Sequence, residues 1–151
     1  MDTVTYPDER VTSFVRQHFI PLKVLIKEKP DIAAGYDVNW TPSVVIGDET
    51  GKAHYRIEGY LPPTDFTGQL ALGLGRYELA RQQFPQAVHH FEEVAQRHRG
   101  SDTGAQGLYW LGVARYKQSK DPAQVKPSWD KLVSEYPNSE WAKRANVPKK
   151  A

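Results

Sequence analysis

Apolar residues recur along this chain with two different periods, and the change from one to the other divides it. Asp8 precedes Val11, Phe14, Val15 and His18, an i, i+3, i+4, i+7 set that predicts a capped helix. Residues 19–26 form a β-rich run, and Pro21 suits a strand start, so a strand is expected from about Leu22. Pro30 is placed to open a short helix running to Tyr36. Residues 43–46, Ser-Val-Val-Ile, are of the buried-strand type. A turn at 48–51 and a returning strand over 52–58 follow, with Ala53, Tyr55 and Ile57 on one face.

After Gly59 and the Pro62-Pro63 pair, the period lengthens from 2 to 3.6. Phe66, Leu70, Gly73, Leu74, Tyr77 and Ala80 share a stripe, which predicts a long helix over 64–82. Further helices are expected from Pro85 to about residue 99, over 103–118, from Pro127 to about 136, and over 139–145. The fold class is therefore α/β followed by all-α. The expected domains are 1–70 and 71–151, sharing the helix 64–82. That helix carries no Gly/Ser/Pro-rich spacer, so the halves are expected to unfold together rather than as beads on a linker.

Composition narrows the functional classes. A hydrophobic content of 39% with 25% charged residues is globular, not disordered. The net charge of +2 supplies no general attraction to nucleic acid or to an anionic membrane, and neither is expected as a partner. The charge is unevenly divided, with 7 Lys/Arg against 10 Asp/Glu in residues 1–70 and 13 against 8 in residues 71–151. That asymmetry favours two modules with different surfaces, or contacts between copies as in a homodimer. No apolar run is long enough to cross a bilayer, and residues 1–10 lack a secretory pattern. With no cysteine, the chain has no disulfide framework and no thiolate of its own, and the cytoplasm is the expected compartment.

The element order from Asp8 to Leu72, together with Lys29-Pro30-Asp31-Ile32-Ala33-Ala34-Gly35-Tyr36-Asp37-Val38 and Trp40-Thr41-Pro42-Ser43-Val44-Val45-Ile46, resembles the thioredoxin family. Asp48-Glu49-Thr50-Gly51 and Arg56-Ile57-Glu58-Gly59-Tyr60-Leu61-Pro62 extend the likeness. The resemblance implies a cis peptide at Thr41–Pro42, exposing the Thr41 backbone to an extended peptide. It points to Trp40, Thr41, Pro42 and Tyr60 as the peptide-binding residues. The family's Cys-x-x-Cys and the central strand before it would fall upstream of Met1. The resemblance thus implies an incomplete, redox-inactive sheet. Three repairs stand open: direct pairing of the remaining strands, recruitment of Thr3-Val4-Thr5-Tyr6, or a strand from another copy.

The second half repeats itself at an offset of 37 to 38 residues: Leu74-Gly75 with Leu111-Gly112, Phe91 with Trp129, Val94 with Leu132, His98 with Tyr136, Ser101 with Ser139, Ala105 with Ala142. These elements, with Ala87 four before Phe91 and Glu135-Tyr136-Pro137-Asn138-Ser139 at the repeat end, resemble the tetratricopeptide family. Two hairpins are fewer than a free-standing array needs, so they either complete the core of the first half or offer a peptide groove. The second copy carries an insertion over 119–126.

Candidate chemistry is sparse. His89 and His90 are adjacent and diverge by about 100° on a helix, too far apart in direction to share a metal. His18 and His54 stand isolated in sequence, His98 ends a helix, and Glu92-Glu93 are expected in solvent. Ser43 has no nucleophile context. Trp110, Trp129 and Trp141 fall at helix-packing spacings. No phosphate loop, metalloprotease or dinucleotide motif occurs, and no catalytic residue, metal or cofactor is expected. The residues point to a protein-interaction or scaffold protein with a polypeptide partner. The alternative is the trailing part of a thiol-disulfide oxidoreductase whose cysteines lie upstream of the numbered start.

Overall fold

A computed structural model describes residues 1–146. The chain divides into two compact units, residues 1–70 and residues 71 onward. Each unit is built on its own apolar cluster.

The first unit opens with turns and then helix α1, Glu9–His18. Asp8 caps it, its carboxylate accepting the Arg10 N–H at 2.9 Å and the Arg10 guanidinium at 2.8 Å. These bonds hold the Asp8 carboxyl at about 2. A short helix α2, Pro30–Gly35, and strands β1, Ser43–Gly47, and β2, Ala53–Glu58, follow. The strands are antiparallel, Val44 facing Ile57 and Ile46 facing Tyr55, with an irregularity at Gly47. This face packs with Val11, Phe66 and Leu70, and Tyr6 sets its ring edge-on to Phe66 at 5.8 Å. Arg56, on the opposite face, donates to the carbonyls of Tyr36 and Asp37 and so fastens the end of α2 to the sheet. Thr5 is fully buried, and its hydroxyl donates to the Leu61 carbonyl at 2.6 Å.

One expectation fails here, and one open alternative is not taken. Residues 20–26 form no strand, and Thr3-Val4-Thr5-Tyr6 is a run of turns; among the described residues the sheet has two strands, β1 and β2. A β-rich segment is held extended by cross-strand partners rather than by its own preference, and among the described residues the segment 20–26 pairs with no strand. Of the three residues expected on one face of β2, Tyr55 and Ile57 turn to the core while Ala53 is exposed at the hairpin end.

The hairpin turn is organised by Asp48. Its carboxylate accepts the Thr50 hydroxyl at 2.5 Å and the Thr50 and Lys52 N–H groups at 2.9 and 3.1 Å, and it pairs with His54 Nε2 at 2.7 Å. Gly51 supplies the positive φ of 84° that the turn requires. His54 is therefore not isolated: it and Asp48 are nearly buried together. The Thr50 hydroxyl first, then His54, push the Asp48 carboxyl well below the usual carboxylate range. An unfolded Asp titrates at about 3.9, so this stabilisation is complete above about pH 5 and is lost as pH falls toward the lower folded value. Urea midpoints at pH 6 and pH 3 test this. Asp48→Asn is expected to lower the midpoint at pH 6 and to show a shallower loss on acidification than the parent chain. An equal acid loss in both would remove Asp48 from the account.

Helix α3, Pro63–Ala80, runs through the boundary between the units and ends two residues before the expected 82, where Gln82 adopts a left-handed φ of 61°. The second unit continues with α4, Phe84–Arg97, and α5, Asp102–Ser119. A 3-10 turn at Pro122–Val125, α6 at Lys126–Glu135 and α7 at Glu140–Ala145 complete it. The sequence repeat is visible in atoms. A Cβ on Gly75 would lie 2.5 Å from the Phe91 ring, and one on Gly112 would lie 2.6 Å from the Trp129 indole. Ser101 caps α5 by accepting the Gly104 N–H at 3.2 Å, and Ser139 caps α7 by accepting the Ala142 N–H at 3.0 Å. The insertion forms the 3-10 turn, whose Asp121 caps it. Ala105, Leu108, Leu132 and Ala142 form the core, with Tyr109, Trp129 and Trp141 packed on it.

Candidate functional site

The four residues singled out from the sequence lie on two loops beside the β1–β2 hairpin. The first loop follows α2, where the Val38 N–H returns to the Ala33 carbonyl at 2.9 Å and Asp37 takes a positive φ of 50°. Ser43, at the start of β1, donates its hydroxyl to the Trp40 carbonyl at 2.6 Å, so its oxygen serves the loop rather than any nucleophilic role. Thr41–Pro42 is cis. The second loop begins at Gly59, whose φ of 82° turns the chain out of β2. Its N–H donates to the Pro42 carbonyl at 2.8 Å and ties the loops together.

Side chains project from this frame into solvent. Trp40 is 70% exposed and Tyr60 is 56% exposed. Large aromatic groups held open on tethered loops are unusual, because burying either would be favourable by a few kcal/mol. Among the described residues no ring contact joins the two, and the Thr41 backbone makes no hydrogen bond. The residue types fit capture of an extended chain: a backbone edge at Thr41 and two aromatic surfaces for side chains.

The remaining candidates resolve into packing. The His18 ring lies tilted against Phe14, with ring centroids 4.6 Å apart. The rings of His89 and His90 are 5.8 Å apart, and His89 faces Glu93 at 3.7 Å. Glu92 is not simply solvated, since it pairs with Arg115 at 2.7 Å, and Glu93 pairs with Arg97 at 3.0 Å. Trp129 donates its indole N–H to the Tyr109 carbonyl at 3.0 Å and stacks on the Tyr109 ring at 5.1 Å. The Arg76 guanidinium lies 3.7 Å over the Trp110 ring. Among the described residues no group of three His, Asp or Glu is placed to hold a metal ion. No described helix is long and apolar enough to cross a membrane.

Sequence reasoning missed the Asp48–His54 pair, whose six-residue separation across a turn was its only signal, and the exposure of Ile20 and Leu22.

Comparison with known families agrees with this architecture. Residues 1–73 match the model of the thioredoxin-like domain, and residues 106–139 match the tetratricopeptide repeat. The chain thus carries a thioredoxin-like domain followed by a tetratricopeptide repeat, within a fold that joins an incomplete two-stranded sheet to helical hairpins. No curated protein and no solved structure matches it.

Proposed function

We propose that this protein is a non-enzymatic, polypeptide-binding module of the cytoplasm, which takes an extended peptide at Trp40, Thr41, Pro42 and Tyr60. The observation that carries the reading is the solvent exposure of Trp40 and Tyr60 on loops fastened by the Gly59–Pro42 hydrogen bond. Tetratricopeptide repeats commonly mediate protein contacts, and the match over residues 106–139 supports a protein-binding reading. The chain has no cysteine, so it holds no thiolate to open a disulfide.

Selection of peptides from a random phage-displayed library on the immobilised chain tests this. Trp40→Ala and Tyr60→Ala remove exposed side chains, and each is expected to change stability by no more than about 0.5 kcal/mol. Each is expected to weaken the selected peptides at least about tenfold, as loss of an aromatic anchor does. Peptides that bind both variants as well as the parent chain would move the site elsewhere.

The thioredoxin-like match also favours a redox reading, in which these residues are the trailing part of a thiol-disulfide oxidoreductase. An in-frame Cys-x-x-Cys upstream of the Met1 codon, with insulin reduction by the longer product, would support that reading. The 151-residue chain alone is expected to reduce no insulin.

A further inference from the structure

Residues 20–24 combine two properties that seldom coexist in a finished fold. Their aliphatic side chains are open, Ile20 at 99% and Leu22 at 82%, with Leu25 just beyond at 51%. Their backbone is unpaired as well. Among the described residues none of 20–24 makes a backbone–backbone hydrogen bond. The flanking bonds are Phe19 N–H to the Val15 carbonyl at 2.8 Å and the Glu28 and Lys29 N–H groups to the Leu25 carbonyl at 2.9 and 3.0 Å.

One object meets both needs. An extended strand laid alongside offers N–H and C=O groups at the spacing of the segment and apolar side chains at alternate positions. The segment has the matching alternation. Ile20, Leu22 and Val24 fall at alternate positions, Val24 half-buried while Ile20 and Leu22 stand in solvent, before the chain turns at residues 26–28. Pro21, which has no N–H, falls at the start, where a missing donor costs least.

Charge selects among possible strands. Lys23, Lys27 and Lys29 stand against a single acid, Glu28, in this stretch. Lys23 reaches Asp2 at 3.3 Å, with both side chains about 70% exposed, and such a pair is weak. Among the described residues Lys27 and Lys29 have no carboxylate within ion-pair distance. A second copy of the same segment would bring three more lysines against these, so self-pairing is opposed by like charge. An acidic strand is favoured.

We propose that residues 20–26 accept an added β-strand from an acidic, extended polypeptide partner. This surface is on a different element from the Trp40 and Tyr60 loops, and the two proposals stand or fall separately.

The probe is the peptide acetyl-Glu-Val-Thr-Val-Thr-Val-Glu-amide, titrated into the full ¹⁵N-labelled chain. Amide exchange at alternate positions within 22–26 is expected to slow at least about tenfold, as hydrogen-bonded strand amides do. The analogue with Lys at both ends should bind at least about fivefold more weakly at low salt, and the analogue N-methylated at alternate residues should not bind. Leu22→Glu, at an exposed position, should keep the parent's circular dichroism and lose the peptide. Unchanged exchange, equal binding of the N-methylated analogue, or a Leu22→Glu variant that binds as before would overturn the proposal. So would light scattering that shows a dimer in which these amides are already protected without peptide, since the occupant would then be a second copy.

Discussion

Replacing Phe91 with alanine is expected to destabilise the protein by about 3–5 kcal/mol, the range for removing a fully buried aromatic ring. Phe91 has no measurable exposure, and its ring lies where a Cβ on Gly75 would have to go: Cε1, Cζ and Cδ1 would stand at 2.5, 2.8 and 2.9 Å. The glycine and the phenylalanine are one packing unit. Gly75→Ala gains about 0.8–1 kcal/mol of helix propensity but forces a ring out of place, an overpacking cost of about 1–3 kcal/mol. In a Phe91→Leu background the ring is gone, and Gly75→Ala is expected to cost less or to stabilise. Urea unfolding followed by far-UV dichroism on the four chains closes the cycle, with a coupling of about 0.5–3 kcal/mol expected. Strictly additive effects would mean that the ring moves aside freely and that Gly75 is small for another reason. The same logic applies one repeat later at Gly112 and Trp129, where the indole is also held by its hydrogen bond to Tyr109.

Gly104→Ala is expected to cost about 2–3 kcal/mol and to lower the thermal midpoint by about 4–12 °C. A Cβ there would sit 2.3 Å from the His98 carbonyl oxygen and 2.9 Å from the Tyr136 hydroxyl. The first obstacle is backbone, at the end of α4, and cannot rotate away. The His98 carbonyl also accepts the Ser101 N–H at 3.1 Å and the Ser101 hydroxyl at 2.7 Å, and Ser101 in turn caps α5 at Gly104. Moving α5 to admit a methyl group therefore strains the α4–α5 turn and its cap together. Gly100 N–H donates to the Tyr136 hydroxyl at 2.8 Å, so the same shift pulls on α6. Differential scanning calorimetry of Gly104→Ala beside Gly35→Ala, where a Cβ meets nothing within 4 Å, separates crowding from general glycine effects. Equal midpoints for the two variants would remove the close approach as the reason for glycine at 104.

The repeat equivalences that motivate these variants are legible in the sequence. Glycine and aromatic recur at matched offsets because each repeat must solve the same contact, a helix pressed close enough to a neighbour that only a missing Cβ admits the ring. Gly104 was not singled out, although it sits 38 residues before Ala142 and follows the Ser101 cap as Ala142 follows the Ser139 cap. Its crowding comes from the carbonyl of His98 on the preceding helix, which no local pattern displays.

At the candidate site, the loop residues Trp40, Thr41, Pro42 and Tyr60 came from family likeness, and the structure places them on adjoining tethered loops. Their openness to solvent was not readable from the sequence, since tryptophan and tyrosine are as readily buried as exposed. The Asp48–His54 pair was overlooked for a related reason. A histidine three residues beyond the end of a turn signal carries no mark of which carboxylate the hairpin will fold it against.

What the sequence by itself determined is local: the capped helix start at Asp8, the turn at Asp48 to Gly51, and the two periods that separate α/β from all-α. Each of these depends on residues within about one turn of one another, so composition and spacing suffice. Only the tertiary structure decided the fate of residues 20–26. Their pattern is that of a strand, but a strand exists through hydrogen bonds to distant backbone, and here β1 and β2 pair with each other while 20–24 pair with nothing among the described residues. The same non-locality left Ile20 and Leu22 in solvent, where hydrophobicity alone would have buried them.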